Sequence, residues 1–221
     1  MAREDWKGIL VPSEDCTEVY RRIFQELGID DVVEVKTGGG PLVEAQRVGE
    51  VAKSSSKKPL VIGLGHHLMA YVGDNSVDYV YFDAHSDDNI NGGNNPFSCA
   101  TFINHMQGRH YVSGVGEGVY PNGYRTRWFR HNEADKIAEL PFRDNIFLTY
   151  DVDVFDPSVT TAHGWGPCGR MFPQQVKDLS DRIIDGRNLI GMNVASYKPY
   201  REAEQNYKTV DVIVDLLRPR L

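Results

Sequence analysis

The chain has 221 residues, 41% of them hydrophobic and 25% charged, an ordinary balance for one α/β domain spanning residues 1–221 with a full core. Its net charge of −7 argues against a nucleic-acid or anionic-membrane surface, and no apolar run nears the roughly 20 residues of a membrane span. Cys16, Cys99 and Cys168 are odd in number and form no CxxC pair, and the N-terminus is polar. These features point to a reducing, cytoplasmic setting and argue against a disulfide frame or a thiolate zinc site.

Residues 8–12 (GILVP) predict a first strand, and Ser13 is the cap candidate for a helix over 15–27. A helical pattern at 42–52 precedes a surface loop at 54–58 and a strand at 60–63 (LVIG). Strands follow at 77–83 (VDYVYFD) and 110–115 (HYVSGV), separated by a helix at 100–106. A helix at 133–140, a strand at 145–151 (NIFLTYD), a helix at 173–184, a strand at 188–194 (NLIGMNV) and a helix at 209–217 complete the pattern. Most strands are apolar throughout, as strands buried on both faces are. The alternation therefore predicts a parallel sheet covered on both sides. Segments 89–95 and 158–170 read as loops after the strands that carry the acidic motifs, where function concentrates.

Asp83-Ala84-His85-Ser86-Asp87 directly follows one strand, and Asp151-Val152-Asp153 ends another. In an open α/β sheet, ligands bind beyond the carboxyl ends of the strands. On an extended segment residues i, i+2 and i+4 share a face, so Asp83, His85 and Asp87 can converge on one centre, and Asp151 and Asp153 repeat the pattern. Carboxylates with imidazole and no thiolate suit Mn²⁺, Fe²⁺ or Zn²⁺, and the carboxylate excess favours Mn²⁺. That chemistry predicts a metal-activated water and hydrolysis. The structural alternative is that strand-end aspartates cap the turns that follow. Gly63-Leu64-Gly65-His66-His67 starts like a dinucleotide fingerprint but has Leu68 in place of the third glycine. Its glycines can instead turn the backbone so that a histidine reaches the metal edge. His105, His110 and His131 read as structural or exposed, and Tyr81 and Tyr150 as packing. His163 and Trp165 lie in the loop that should overhang the metals.

These pieces, in this order, resemble the arginase/agmatinase (ureohydrolase) family over about residues 59–217. The DAHxD pattern is intact at Asp83 to Asp87. The SxDxDxxDP pattern reads Thr149-Tyr150-Asp151-Val152-Asp153-Val154-Phe155-Asp156-Pro157, and His66 matches the first metal histidine. The resemblance implies a three-layer α/β/α sandwich with a mainly parallel sheet. It also implies two Mn²⁺ ions, one on His66, Asp83, Asp87 and Asp151 and the other on Asp83, His85, Asp151 and Asp153. The implied activity is hydrolysis of a guanidino or amidino C–N bond with release of urea, Asp87 also accepting a proton and Asn89 contacting the substrate.

The departures change the substrate grip. Ser196 stands where the family carries a guanidinium-binding glutamate, and Asn193 where it carries an aspartate. The family's His-Gly-x-P proton-shuttle loop is missing, and His163 is available for that role. Candidate substrate contacts are Asn89, Trp165 and Ser196, with Glu202 or Glu204 just downstream. The expected partner is a small molecule or peptide bearing a guanidino group, such as an arginine side chain within a peptide, and homo-oligomers are frequent in the family. The rival readings are a metal-dependent amide hydrolase on the same fold, as in deacetylases, and a metal-binding relative without turnover.

Overall fold

Short apolar runs separated by amphipathic helices can bury all their apolar surface if the strands lie parallel with helices on both faces. The structure, a computed structural model, takes that form. It describes residues 3–13, 16–87, 97–98, 100–116, 125–160, 169–196 and 203–221, apart from the side chains of 203–206.

Among these residues, eight strands build one sheet. They are β1 (Trp6–Leu10), β2 (Val32–Glu34), β3 (Lys58–Ile62), β4 (Val77–Phe82), β5 (Arg109–Val115), β6 (Thr126–Arg130), β7 (Asn145–Asp151) and β8 (Asn188–Ala195). The order is β2-β1-β3-β8-β7-β4-β5-β6, and every pairing is parallel. Helices α1 (Thr17–Leu27), α3 (Pro173–Ile184) and α4 (Ala203–Leu217) cover one face, together with a 3-10 run at His131–Glu139. Helix α2 (Pro41–Lys53) and 3-10 turns at His66–Met69 and Phe102–His105 cover the other.

Strand alternation sorts the core. Leu60, Ile62, Val80, Phe82, Leu148 and Tyr150 face the first layer, whereas Val61, Tyr79, Tyr81 and Phe147 face the second. Burying each such large side chain is worth about 1.5–3 kcal/mol. With both faces dry, register is strongly specified, because a slip would move every side chain to the other face. The second face turns polar at its carboxyl end, where the same parity continues through Thr149, Asp151, Asp83 and Asn193. All four are buried.

The six expected strands are present within a few residues of their predicted limits. β2 and β6 were not anticipated. Both are edge strands; β2 has three residues, and β6 (TRWFR) interleaves arginines with its apolar positions. Two expected helices are 3-10 instead. In His131–Glu139 the buried positions Ala134 and Ile137 continue to Leu140 at a spacing of three, the period of a 3-10 turn. Helix α1 begins at Thr17 with no side-chain cap; Thr17 Oγ1 donates to the Ser13 carbonyl instead of Ser13 capping the helix. It ends at Gly28 (φ 68°), where the N–H groups of Gly28 and Ile29 close the last turn onto Gln25 and Phe24. Among the described residues no helix is long and apolar enough to cross a membrane.

His110, on β5, stacks on Tyr79 at 5.2 Å and hydrogen-bonds the Tyr81 hydroxyl through Nδ1 at 3.0 Å. Burial pushes its pKa from 6.5 down to about 3. The unfolded chain therefore binds this proton more readily, so the stability His110 contributes is complete above pH 6.5 and is lost as pH falls toward 3. Between pH 7 and 5 the loss should be about 2 kcal/mol. In urea denaturation of metal-free protein, His110→Phe is expected to flatten the stability profile by that amount; an unchanged slope would show that His110 does not titrate on unfolding.

Candidate metal centre

β4 and β7 are neighbours, with Phe82 paired to Tyr150, so Asp83 and Asp151 leave adjacent strands side by side. Beyond β7 lies β8, whose Ala195 pairs with Asp151, and beyond that β3, from which the chain turns through Gly63-Leu64-Gly65 to His66. The polar groups thus gather at the carboxyl edge of four central strands, where α/β sheets bind ligands.

The aspartates do not converge through an extended backbone, as their alternation suggested. Asp83 Oδ1 accepts the His85 N–H at 2.6 Å, and Asp151 Oδ1 accepts the Asp153 N–H at 2.8 Å. Each strand end folds into a turn, Val152–Val154 is a 3-10 turn, and Asp87 adopts a left-handed conformation (φ 53°). The capping reading of the strand-end aspartates is therefore observed, and it leaves one oxygen of each free of the cap. One oxygen of each caps a turn, and the second oxygens, Asp83 Oδ2 and Asp151 Oδ2, stand 3.3 Å and 2.6 Å from His66 Nε2.

Two groups of donors result. His66, Asp83 and Asp87 each offer an atom within 4.8 Å of the others, and so do Asp83, His85 and Asp153. Asp83 belongs to both. Asp151 belongs to neither group; its Oδ2 faces His66 and accepts the Ser196 hydroxyl. Ser196 is itself buried and left-handed (φ 58°), and its N–H is held by the Leu64 carbonyl at 3.2 Å. Left-handed backbone at non-glycine residues costs on the order of 1 kcal/mol each, so Asp87 and Ser196 are strained where they bear on the site.

The electrostatics favour a cation. Burial, then the neighbouring Asp83, pushes Asp87 well above the usual carboxylate range, and burial followed by Asp151 and Asp83 does the same to Asp153. Burial opposes charge on His66, but Asp151 and Asp83 outweigh it and hold the pKa at about 10. Hydrogen bonds to Asp153 and Asp83 raise His85 to about 12. His85 Nδ1 stands 3.0 Å from the buried Asp153 Oδ2. A set of carboxylates and imidazoles without thiolate fits a divalent first-row metal.

The surroundings make room for this cluster. Gly114 is the extra residue of a bulge in β5 and has φ 107°; a Cβ there would lie 2.4 Å from Val154 Cγ2 and 3.3 Å from the Asp83 carbonyl. Only glycine lets β5 approach both acidic turns. His67 takes no part in either group. Its ring meets Phe97 edge-on at 6.2 Å, and burial, then His66, lowers its pKa to about 4. The 63–65 glycines lead into a four-residue 3-10 turn, not into the helix a pyrophosphate site requires. Asn89, His163, Trp165 and Glu202, and the side chain of Glu204, lie outside the described residues. Sequence reasoning missed Thr149, whose Oγ1 lies 3.1 Å from His66 Nδ1, and Asn193 behind it. Both stood out in the sequence as departures from a motif.

Comparisons with known proteins identify the family and the fold. Residues 20–219 match the model of the Arginase family. Over 197 residues the chain is 23% identical to an N(1)-aminopropylagmatine ureohydrolase from Thermococcus kodakarensis, covering 79% of this chain and 68% of that protein. Its fold is similar to that of the agmatine ureohydrolase of Thermoplasma volcanium, with a TM-score of 0.77 at 16% identity over 99% of this chain and 90% of that one. It is also similar to arginase from Bacillus subtilis, with a TM-score of 0.70 at 14% identity over 96% and 98% of the two chains.

Because Asp83 is shared, Asp83→Asn is expected to weaken divalent-cation binding at both groups. Asp87→Asn should weaken it at one. Metal analysis after gel filtration checks this: two equivalents retained by Asp83→Asn would show that the groups do not share a ligand.

Proposed function

The chain belongs to the arginase family, and from that premise we propose that it is a binuclear manganese-dependent hydrolase of a guanidino or amidino C–N bond, releasing urea. The observation that carries the reading is the pair of Asp/His groups joined through Asp83 at the carboxyl edge of the sheet. In this reading His66, Asp83, Asp87, His85, Asp151 and Asp153 hold two Mn²⁺ ions. Such a pair, when bound, lowers the pKa of a shared water and orients it for attack.

The remaining chemistry falls to the chain's own groups. Addition of water to the guanidinium carbon gives a tetrahedral intermediate; the C–N bond to the substrate chain then breaks, urea forms, and the departing nitrogen takes a proton. Asp87 accepts a proton from the attacking water, a role supported by its place in the donor group with His66 and Asp83. His163 is assigned delivery of the proton to the leaving amine, and Asn89 and Trp165 are assigned substrate contacts. Ser196 has its hydroxyl on Asp151, which supports a role in orienting that carboxylate over a direct grip on a guanidinium. For the substrate, the Thermococcus relative's name favours a guanidine carrying an amine-bearing tail. Arginine within a peptide is the second candidate.

Manganese-loaded protein is expected to release urea from at least one member of a panel of arginine, agmatine, N(1)-aminopropylagmatine, guanidino acids and arginine peptides. Asp87→Asn should lower kcat by about 100-fold or more, and His163→Ala should lower kcat with metal content unchanged. No urea from any compound would defeat the reading and leave amide hydrolysis or a silent metal-binding protein.

A further inference from the structure

One buried polar chain crosses the sheet behind the metal centre. Asn193 Nδ2 donates to the Val61 carbonyl at 3.1 Å; Thr149 Oγ1 donates to Asn193 Oδ1 at 2.8 Å; and Thr149 Oγ1 lies 3.1 Å from His66 Nδ1. Val61, Asn193 and Thr149 are completely buried, and His66 is 2% exposed. They occupy matching positions on three adjacent strands, β3, β8 and β7.

The proton directions in this chain are determined. The Val61 carbonyl can only accept, so the Asn193 amide must present its NH₂ there and its oxygen to Thr149. A hydroxyl has one proton, and Thr149 gives it to Asn193. Its lone pair therefore faces His66, and Nδ1 must carry the hydrogen. Nε2 is left on the side of Asp83 and Asp151. The ring is fixed in plane as well, stacked on Phe102 at 6.1 Å and edge-on to Tyr81 at 6.2 Å.

A bulge creates this alignment. Ile146 pairs with Leu189, but Phe147 pairs with Gly191, so Ile190 is an extra residue in β8. Without it the count would place Met192 opposite Thr149, and Asn193 would be on the other face of the sheet. We propose that Asn193, acting through Thr149, is a positioning residue that holds His66 with Nδ1 protonated and Nε2 turned toward Asp83 and Asp151, where a cation would bind. The proposal rests on the metal-centre reading for its consequence, but the orientation itself does not depend on it.

Thr149→Val keeps the shape and removes the hydroxyl, Thr149→Ser restores it, and Asn193→Leu removes the anchor behind it. Mn²⁺ titration followed by electron paramagnetic resonance, with the His66 step identified by its loss in His66→Asn, should show that step weakened about 10- to 100-fold in Thr149→Val and Asn193→Leu. The other step should hold, and Thr149→Ser should return the parent affinity. Unchanged affinity, or equal loss at both steps, would overturn the proposal. In ¹⁵N-edited NMR of metal-free and Zn²⁺-loaded protein, the His66 Nδ1–H should appear as a solvent-shielded, hydrogen-bonded resonance. It should persist in Thr149→Ser and vanish in Thr149→Val. Its absence from the metal-free parent would overturn the relay even if Mn²⁺ binds, whereas its presence in a parent that binds no Mn²⁺ would sustain the relay and defeat the metal reading instead.

Discussion

Asp83 and Asp153 are almost wholly removed from water, and each has a carboxylate or imidazole neighbour within 4.8 Å. Two like charges at that distance repel by roughly 3–4 kcal/mol even at an effective dielectric of 20, and their desolvation adds to that cost. A fold that buries several such groups together must supply compensating positive charge. The two imidazoles, the backbone N–H groups of Ala84, His85 and Asp153, and the Ser196 hydroxyl supply part of it. The rest is what a divalent cation would provide, and the placement of the surrounding elements follows from this requirement.

The sheet meets that requirement through its geometry. Parallel strands all present their carboxyl ends on one edge, so four central strands can deliver side chains to a single patch. Strand parity directs Thr149, Asp151, Asp83 and Asn193 to the same face, opposite the apolar layer formed by Leu148, Tyr150, Phe82 and Met192. Two irregularities complete the arrangement. The extra residue Ile190 brings Asn193 into line with Thr149, and Gly114 lets β5 close against the acidic turns. Both bulges lie in strands whose apolar packing could carry a regular ladder; Gly114 acts by its place against the acidic turns, and Ile190, near the amino end of β8, acts through the register of all that follows it.

The candidate metal donors sit in a compact framework. The framework is carried on strand ends and the short turns that follow them, packed on both sides. Ser196 is drawn into that framework, its hydroxyl on Asp151 and its backbone on Leu64.

By itself the sequence determined what depends on local pattern. Apolar β-branched runs of strand length, separated by helical periods, specify a parallel α/β sheet, and the DAHxD and DxD strings mark which strand ends carry the candidate donor groups. It also picked His66 out of the His66-His67 pair, though only by resemblance; the geometry separates them because one ring faces Asp151 and the other faces Phe97. The short polar edge strands β2 and β6 were not legible, since edge strands lack the two-sided apolar pattern. Nor was the way the aspartates converge, because an Asx turn and an extended segment can share one string of residues. Thr149, Asn193 and Ser196 looked like mere departures from a motif. Their partnership spans residues far apart in the chain and turns on one extra residue in β8, which shifts the register and so decides which side chains meet. No window of sequence contains that pairing, and only the packed sheet brings it about.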